Sequence, residues 1–493
     1  MVMRETESNE FLPAQRRTKI VATLGPTSDD LATITKMVRA GIDVVRLNFS
    51  HGKAADHQRR ADLVREAAAI EGRYVAILGD LQGPKIRIDR FKGGKVELES
   101  GQPFTLDADL DVDGGDETTV GITYKALVSD SRPGDILLLD DGRIVLKVDR
   151  VQGNQIQTTV KIGGALSDNK GINRQGGGLS APAITDKDRA DIKAAAEIGV
   201  DYIAVSFPRS AEDIHEARRL LQEAGCRAHI VAKIERAEAI DRIREIIQAS
   251  DAIMIARGDL GVEIGDAELP AVQKAFIRMA KELNRPVITA TQMMETMIDN
   301  PIPTRAEVFD VANAVLDGTD AVMLSAETAA GKYPVRVVET MARVCHRAEY
   351  QIESKKTGPP LDVPFERIDQ AIAYSAIYTA NHLTVAAIVA LSESGATPLW
   401  MSRVDTDTPI YTFTRSEETA RRVSLYRGVQ AVHFPISSTD HGEVNRKVVE
   451  VLQQMEKLDE GDLVIITKGD MMGQMGGTNA MTIVRVGDVL PID

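Results

Sequence analysis

The chain has 493 residues, 43% hydrophobic and 27% charged, an ordinary globular composition with room for about three domains. A formal net charge of −14 argues against nucleic acid or an anionic membrane as the main partner, so an anionic ligand must be captured by a local basic cluster against the global field. Cys226 and Cys345 are the only cysteines and form no CxxC pair, which leaves no disulfide framework or thiolate zinc site and makes the reducing cytoplasm the expected location.

Residues 1–17 are polar, mixed in charge and without an apolar core, and read as a frayed arm; no later stretch approaches the ~18 apolar residues of a membrane span. Eight runs rich in Val, Ile and Ala then read as parallel strands buried on both faces: TKIVATLG from 18, DVVRLNFS from 43, YVAILGD from 74, DYIAVSFP from 201, HIVAKIE from 229, AIMIARGD from 252, PVITATQMM from 286 and AVMLSAET from 321. Most are followed by an amphipathic helix. After the first, Ser28 reads as the N-cap, with Asp29 and Asp30 in the first turn, Leu31, Ile34 and Val38 on one face and Gly41 as the stop.

Successive strand starts are 25, 31, 127, 28, 23, 34 and 35 residues apart. The outlier marks an insertion of about 95 residues, roughly Asp89 to Ile184, and the remainder has about the size of a (β/α)8 barrel. The spacing therefore predicts an α/β fold: a (β/α)8 TIM barrel over 18–88 and 185–354, interrupted by an all-β domain over 89–184. Turn signals such as Lys92-Gly93-Gly94, Asp113-Gly114-Gly115 and Asp140-Asp141-Gly142 punctuate the insertion. Attached beside the third strand, it is expected to cover the C-terminal mouth of the barrel as a closing lid. A helix over Val335 to Glu353 and a linker at Lys355 to Pro364 lead to an alternating α/β domain over 362–493.

The chemistry gathers where the strands end. Lys233 and Glu235 sit two residues apart, as do Arg257 and Asp259, so a side-chain period of two puts each pair on one strand face. Parallel neighbours lie about 4.8 Å apart, close enough for Glu235 and Asp259 to grip one hard divalent cation, Mg2+ by its preference for oxygen, beside two positive charges. Such a mouth suits a doubly anionic phosphate ester, with Lys233 neutralising a transferring phosphoryl group. The same pattern recurs at Arg46, Asn48 and Ser50, at Thr289 and Thr291, and at Ser325 and Glu327. Gly258 would allow close backbone approach to a ligand, and Thr291 offers a hydroxyl too weakly acidic to donate a proton without a water relay. There is no P-loop and no HExxH, Arg257-Gly258-Asp259 is not an adhesion signal inside a barrel strand, and among the eight histidines only His51 falls at the mouth.

These residues and their surroundings resemble one family over nearly the whole chain, the pyruvate kinases. The resemblance is carried by TKIVATLGPTS, VVRLNFSHG, GDLQGPKIR, AVSFPRS, VAKIE, MIARGDLGVEI, ITATQMMETMI, PTRAEVFDVANAVLDGTDAVMLSAETAAGKYP and GGTNAMTIVRV. It implies phosphoryl transfer from phosphoenolpyruvate to ADP and protonation of the resulting enolate to pyruvate, in glycolysis. Carried over position by position, Lys233 stabilises the transferring phosphoryl, Glu235 and Asp259 bind Mg2+ (or Mn2+), Gly258 and Thr291 receive the carboxylate side of the substrate, Arg46 and Arg87 contact phosphate, and His51 lies near the nucleotide. A homotetramer is implied by the resemblance alone.

One segment departs from the commonest family pattern, Leu-Asp-Thr-Lys-Gly-Pro-Glu-Ile-Arg. In such members K+ sits among the aspartate, the threonine and the counterparts of Asn48 and Ser50, with the glutamate nearby. Here the segment reads Gly79-Asp80-Leu81-Gln82-Gly83-Pro84-Lys85-Ile86-Arg87, so Leu81 removes an oxygen ligand and Lys85 reverses a charge. The expectation is that the Lys85 ammonium replaces K+ beside Asn48, Ser50 and Asp80; at ~4 Å and an effective dielectric of ~20 it interacts with a substrate anion by about 4 kcal/mol. In the last domain Ser392, Ser394, Gly395 and Thr397 follow a strand and open a helix, a phosphate nest that in allosteric relatives binds a phosphorylated effector. Two other readings of the mouth are a barrel lyase working through a metal-bound pyruvate enolate and a catalytically silent metabolite sensor.

Overall fold

The eight apolar runs close into one parallel barrel, each strand pairing with the next and the eighth with the first. The strands are Lys19–Thr23, Val44–Asn48, Ala76–Asp80, Tyr202–Val205, His229–Ile234, Ala252–Ala256, Val287–Ala290 and Ala321–Leu324. The computed structural model describes residues 16–351, 365–435, 440–469 and 476–487, so the linker expected at 355–364 lies outside the described residues. Among the described residues no helix is long and apolar enough to cross a membrane.

Alternation along the strands builds two layers. Ile20, Ala22, Val45, Leu47, Ile77, Ile203 and Ile230 face outward and pack with Ile34, Val38, Val64 and Ile214 of the surrounding helices. Val21, Val44, Leu78, Tyr202, Val231, Met254, Ile288 and Met323 face inward and fill the barrel. That inner cluster continues into Ile388, Met401, Val423 and Val429 of the C-terminal domain, so the floor of the barrel and the next domain share one core.

Two expectations near the N-terminus are corrected. Asp30, not Ser28, caps the first helix, Leu31–Ala40: its carboxylate accepts the Thr33 N–H at 2.9 Å. Ser28 is fully buried, its hydroxyl accepting the Gly25 N–H at 3.1 Å, and Asp29 lies before the helix and pairs with Arg59 and Arg60. The expected stop is where it was placed, with Gly41 at φ 117°, which only glycine adopts without strain. Arg16 and Arg17, read as the end of a frayed arm, are anchored: Arg16 is buried against Asp43 at 2.8 Å, and the Arg17 N–H donates to Glu349.

Between the third and fourth barrel strands the chain forms the all-β domain. Its six-stranded sheet runs Ile172–Arg174, Ile136–Leu139, Ile144–Gln152, Gln155–Ile162, Pro103–Asp107, Thr119–Gly121, and a separate antiparallel pair brings Lys95–Leu98 against Gly164–Ser167. Its own core includes Ile86, Ile88, Phe104, Leu137, Leu146, Ile156 and Leu179. The domain touches the barrel at its C-terminal end, where the Gly176 N–H donates to the Glu263 carbonyl at 3.1 Å and Arg236 donates to the Leu179 carbonyl at 3.0 Å.

After the helix Pro334–Gln351 comes a five-stranded sheet in the order Val429–His433, Ile410–Thr414, Ala387–Leu391, Leu463–Gly469, Thr478–Arg485, with only the last strand antiparallel. This domain caps the opposite end of the barrel. Arg403 pairs with Asp320 at 3.0 Å, and Arg427 donates to Thr18 and to the Thr319 carbonyl, all groups just before the first or eighth strand.

Candidate active site at the barrel mouth

Lys233 closes the fifth strand one residue before its end, which aims its side chain into the barrel mouth. Its ammonium faces three oxygens: Asp80 at 3.2 Å, Glu235 at 3.0 Å and the Ser206 hydroxyl at 2.6 Å. Burial opposes its charge, but Asp80 and Glu235 more than offset that, and its pKa stands above the usual lysine value. Asp80, itself buried, is pushed up by burial and pulled further down by Lys233 and Arg46, so it stays ionised below the usual carboxylate range. Arg46 reaches Asp80 at 2.5 Å and the Thr23 hydroxyl at 3.2 Å. Asp80 thus lies behind the mouth and holds two cations at its surface.

Glu235 follows the same strand and is 2% exposed, with the Phe207 N–H donating to it at 2.9 Å. Burial raises its pKa; Lys233 works against the rise, and Asp259 and Asp80 add to it. A buried carboxylate strained by neighbouring carboxylates is one that a divalent cation relieves. Among the described residues no group of three or more His, Cys, Asp or Glu side chains is arranged as a metal cage. Two hard carboxylates, Glu235 and Asp259, opening on one cavity nevertheless fit Mg2+, which takes one or two carboxylates and completes its octahedron with water and phosphate oxygens.

Strand periodicity fails where the strands have already ended. Arg257 and Asp259 do not share a strand face, because the sixth strand stops at Ala256 and both residues open the helix Arg257–Ile264. Asp259 lines the mouth, whereas Arg257 turns away to pair with Asp310 at 2.7 Å and to hold the Thr291 carbonyl at 2.6 Å. Thr289 is fully buried and donates to Thr319 at 2.9 Å, while Thr291, past the strand and at φ 68°, reaches the mouth. Glu327 folds back to accept the Ser325 N–H, leaving Ser325 on the cavity. The Gly258 N–H donates to the Thr291 hydroxyl at 2.8 Å, and that hydroxyl donates to the Ala290 carbonyl at 2.6 Å.

Arg46, Asn48, Ser50, His51, Lys85, Arg87, Lys233, Glu235, Asp259 and Thr291 all line one cavity of about 150 Å3. Ser50 lies beyond the second strand, its N–H turned onto the Asn48 side chain at 3.1 Å. Arg87 comes from the edge of the β domain, tied to the Asn169 carbonyl at 2.8 Å. The Lys85 ammonium is 3.9 Å from Asp259, while the Asp80 carboxylate is already taken by Arg46 and Lys233. Ser206 and Phe207 had no role in the sequence reading. The only signal was slight: Ser206 is the polar residue near the end of the fourth run, directly after the strand Tyr202–Val205.

In the C-terminal domain Gly395 has φ 78° and precedes the helix Ala396–Ser402. Ser392 accepts the Gly395 N–H at 3.0 Å, Ser394 accepts the Ala396 N–H at 3.4 Å, and Thr397 is buried against Thr478 at 2.8 Å. Arg415 pairs with Glu393 at 2.7 Å beside them.

A (β/α)8 barrel whose mouth sets cations around two hard carboxylates, under a β domain and above an α/β domain, has the layout of an enzyme acting on anionic substrates. The comparisons with known proteins carry this further. The family described as "Pyruvate kinase, barrel domain" matches residues 15–338, and "Pyruvate kinase, alpha/beta domain" matches residues 370–484. "Pyruvate kinase II" of Salmonella typhimurium is 58% identical over 475 residues, covering 96% of this chain and 99% of the relative. A pyruvate kinase of Haemophilus influenzae is 55% identical over 459 residues, covering 92% and 96%. A crystal structure of a pyruvate kinase from Cryptosporidium parvum superposes with a TM-score of 0.89 at 33% identity, covering 96% and 97%. The chain belongs to the pyruvate kinase family, and by that membership is a glycolytic transferase and kinase.

Proposed function

We propose that the mouth moves the phosphoryl group of phosphoenolpyruvate to the terminal phosphate oxygen of ADP, with the enolate left behind taking a proton at carbon to give pyruvate. The observation that carries this is the Lys233 ammonium held among Asp80, Glu235 and Ser206, on the cavity that Asp259 also lines. Arg46 and Lys233 neutralise the phosphoryl oxygens, Arg87 brings a further cation from the β domain, and His51 stands at the nucleotide side. Gly258 and Thr291 are placed at the carboxylate end, the Gly258 N–H exchanging its present bond to the Thr291 hydroxyl for the substrate; because that hydroxyl is committed to the Ala290 carbonyl, the enolate's proton comes through water. Glu235 and Asp259 would hold Mg2+, which when bound supplies charge neutralisation across the phosphate oxygens.

A coupled assay separates the alternatives. Pyruvate and ATP appearing together from phosphoenolpyruvate and ADP support this reading; neither product contradicts it, and Mg2+-dependent making or breaking of a carbon bond to pyruvate then separates a lyase from a sensor. The Lys85 ammonium is likewise proposed in place of K+: it lines the same cavity as Asn48 and Ser50, and the Leu81 side chain offers no oxygen ligand. Ser392, Ser394, Gly395 and Thr397 are the proposed cradle of a sugar phosphate or nucleotide monophosphate activator; unchanged kinetics across a panel of such metabolites would remove it. The enzyme is proposed to work in the cytoplasm as a homotetramer, which sedimentation tests directly.

A further inference from the structure

The polypeptide step Ser206–Phe207, just past the fourth barrel strand, touches both halves of the site. The Ser206 hydroxyl, 1% exposed, donates to the Leu81 carbonyl at 2.8 Å and accepts from the Lys233 ammonium at 2.6 Å. It therefore bridges the ends of the third and fifth strands across the fourth. With its proton spent on Leu81, its lone pair is fixed toward Lys233. The next residue, Phe207, has φ 56°, a left-handed conformation that a bulky side chain rarely adopts, and this turns its N–H onto Glu235 at 2.9 Å. The surroundings hold the turn in place. The Arg236 guanidinium lies 5.5 Å over the Phe207 ring, and Gly83 packs so closely that a Cβ there would stand 2.8 Å from Ser206 Cβ and 3.0 Å from the Phe207 ring.

We propose that Ser206 is a positioning residue for phosphoryl transfer, setting the direction of the Lys233 ammonium, while the neighbouring Phe207 N–H independently sets the Glu235 carboxylate. This rests on the assignment of Lys233 to the transferring phosphoryl group. The two contacts use different groups of the step, a side-chain oxygen and a main-chain N–H, so removing the hydroxyl alone separates them. The ammonium then keeps its charge and its carboxylate neighbours but loses the contact that aims it, which is felt where charge develops rather than where substrate binds.

The test is Ser206→Ala, with Ser206→Cys as a closer volume match and a poor hydrogen-bond acceptor should the alanine form not fold. The expected result is a fall in kcat of about ten- to a hundredfold, the size of a lost hydrogen bond to a charged group. The KM for phosphoenolpyruvate, the affinity for Mn2+ titrated calorimetrically into substrate-free enzyme, and the thermal midpoint should stay near wild type, within about twofold for the two constants. Wild-type kcat in Ser206→Ala would overturn the proposal, and so would a fall shared by Mn2+ affinity and melting temperature, which marks a structural role only. Lys233→Ala, measured alongside, keeps the premise separate: if it retains wild-type kcat the Lys233 assignment itself fails, whereas an inactive Lys233→Ala beside a fully active Ser206→Ala sinks the Ser206 role alone.

Discussion

Taking the ammonium from Lys233 leaves Asp80 and Glu235 as neighbouring buried carboxylates without the cation between them. Lys233→Ala is therefore expected to lower kcat by about a hundred- to a thousandfold, the cost of one preorganised donor at a developing anion, as steady-state assays would register. Lys85 gives the second residue-scale prediction. If its ammonium supplies the charge that K+ brings elsewhere, turnover in K+-free, Na+-free buffer stays at the level seen with K+. A collapse in rate without K+ would reject the idea. Most of the mouth was legible because strand-end polar residues stand out against apolar runs: Lys233, Glu235, Asp259, Arg46 and Thr291 share one cavity. Arg257 was misplaced because a period of two ends with the strand, and nothing in the residue types says that the sixth strand gives way to a helix at Arg257. Ser206 was missed because a serine beside a strand end is ordinary until its two hydrogen bonds are seen.

At the scale of elements, the junction between the helix Arg257–Ile264 and the β domain holds a carboxylate with an unusual titration. Burial pushes Glu263 up to about 7, with Glu238 adding to the rise; the Ala237 N–H, Arg236 and the Asn173 amide from the β domain work against it. Its folded pKa exceeds the unfolded one, so the folded state binds the extra proton. This contribution favours folding at low pH and is lost as pH climbs from about 4.5 to about 7. Glu263→Gln, neutral at every pH, should melt close to wild type at pH 5 and above it at pH 8. A difference that does not change with pH would contradict the assignment. The starts of the eight barrel strands were readable to within two residues, since buried parallel strands announce themselves by composition, whereas the runs overshot several strand ends by three or four residues, as at Val205, Ala256, Ala290 and Leu324. The cap of the first helix was not, because Ser28, Asp29 and Asp30 are all good capping types and only the path of the turn selects Asp30.

For the whole molecule, one core joins the barrel interior to the C-terminal domain, and a buried pair pins them together. Arg403 and Asp320 are each 6% exposed or less, and the pair also carries the Arg285 carbonyl. Arg403→Ala leaves Asp320 with only the weaker Arg427 N–H contact from that domain, so the chain is expected to lose about 3 to 5 kcal/mol, read from urea unfolding. The insertion was visible as one long interval among otherwise regular repeats. That the insertion sits at the C-terminal mouth followed from its attachment after the third strand, whereas the end covered by the C-terminal domain follows from contacts between residues far apart in the chain, and the antiparallel edge Thr478–Arg485 was not among the expected strands.

In the proposed mechanism Glu235 and Asp259 act with Lys233 as one metal-dependent phosphoryl site. It is tested most directly by titrating Mg2+ at saturating phosphoenolpyruvate and ADP for wild type and Asp259→Asn. The half-saturating Mg2+ concentration should rise by about ten- to a hundredfold in the variant, the loss of one charged ligand; an unchanged Mg2+ requirement with undiminished turnover would contradict the account.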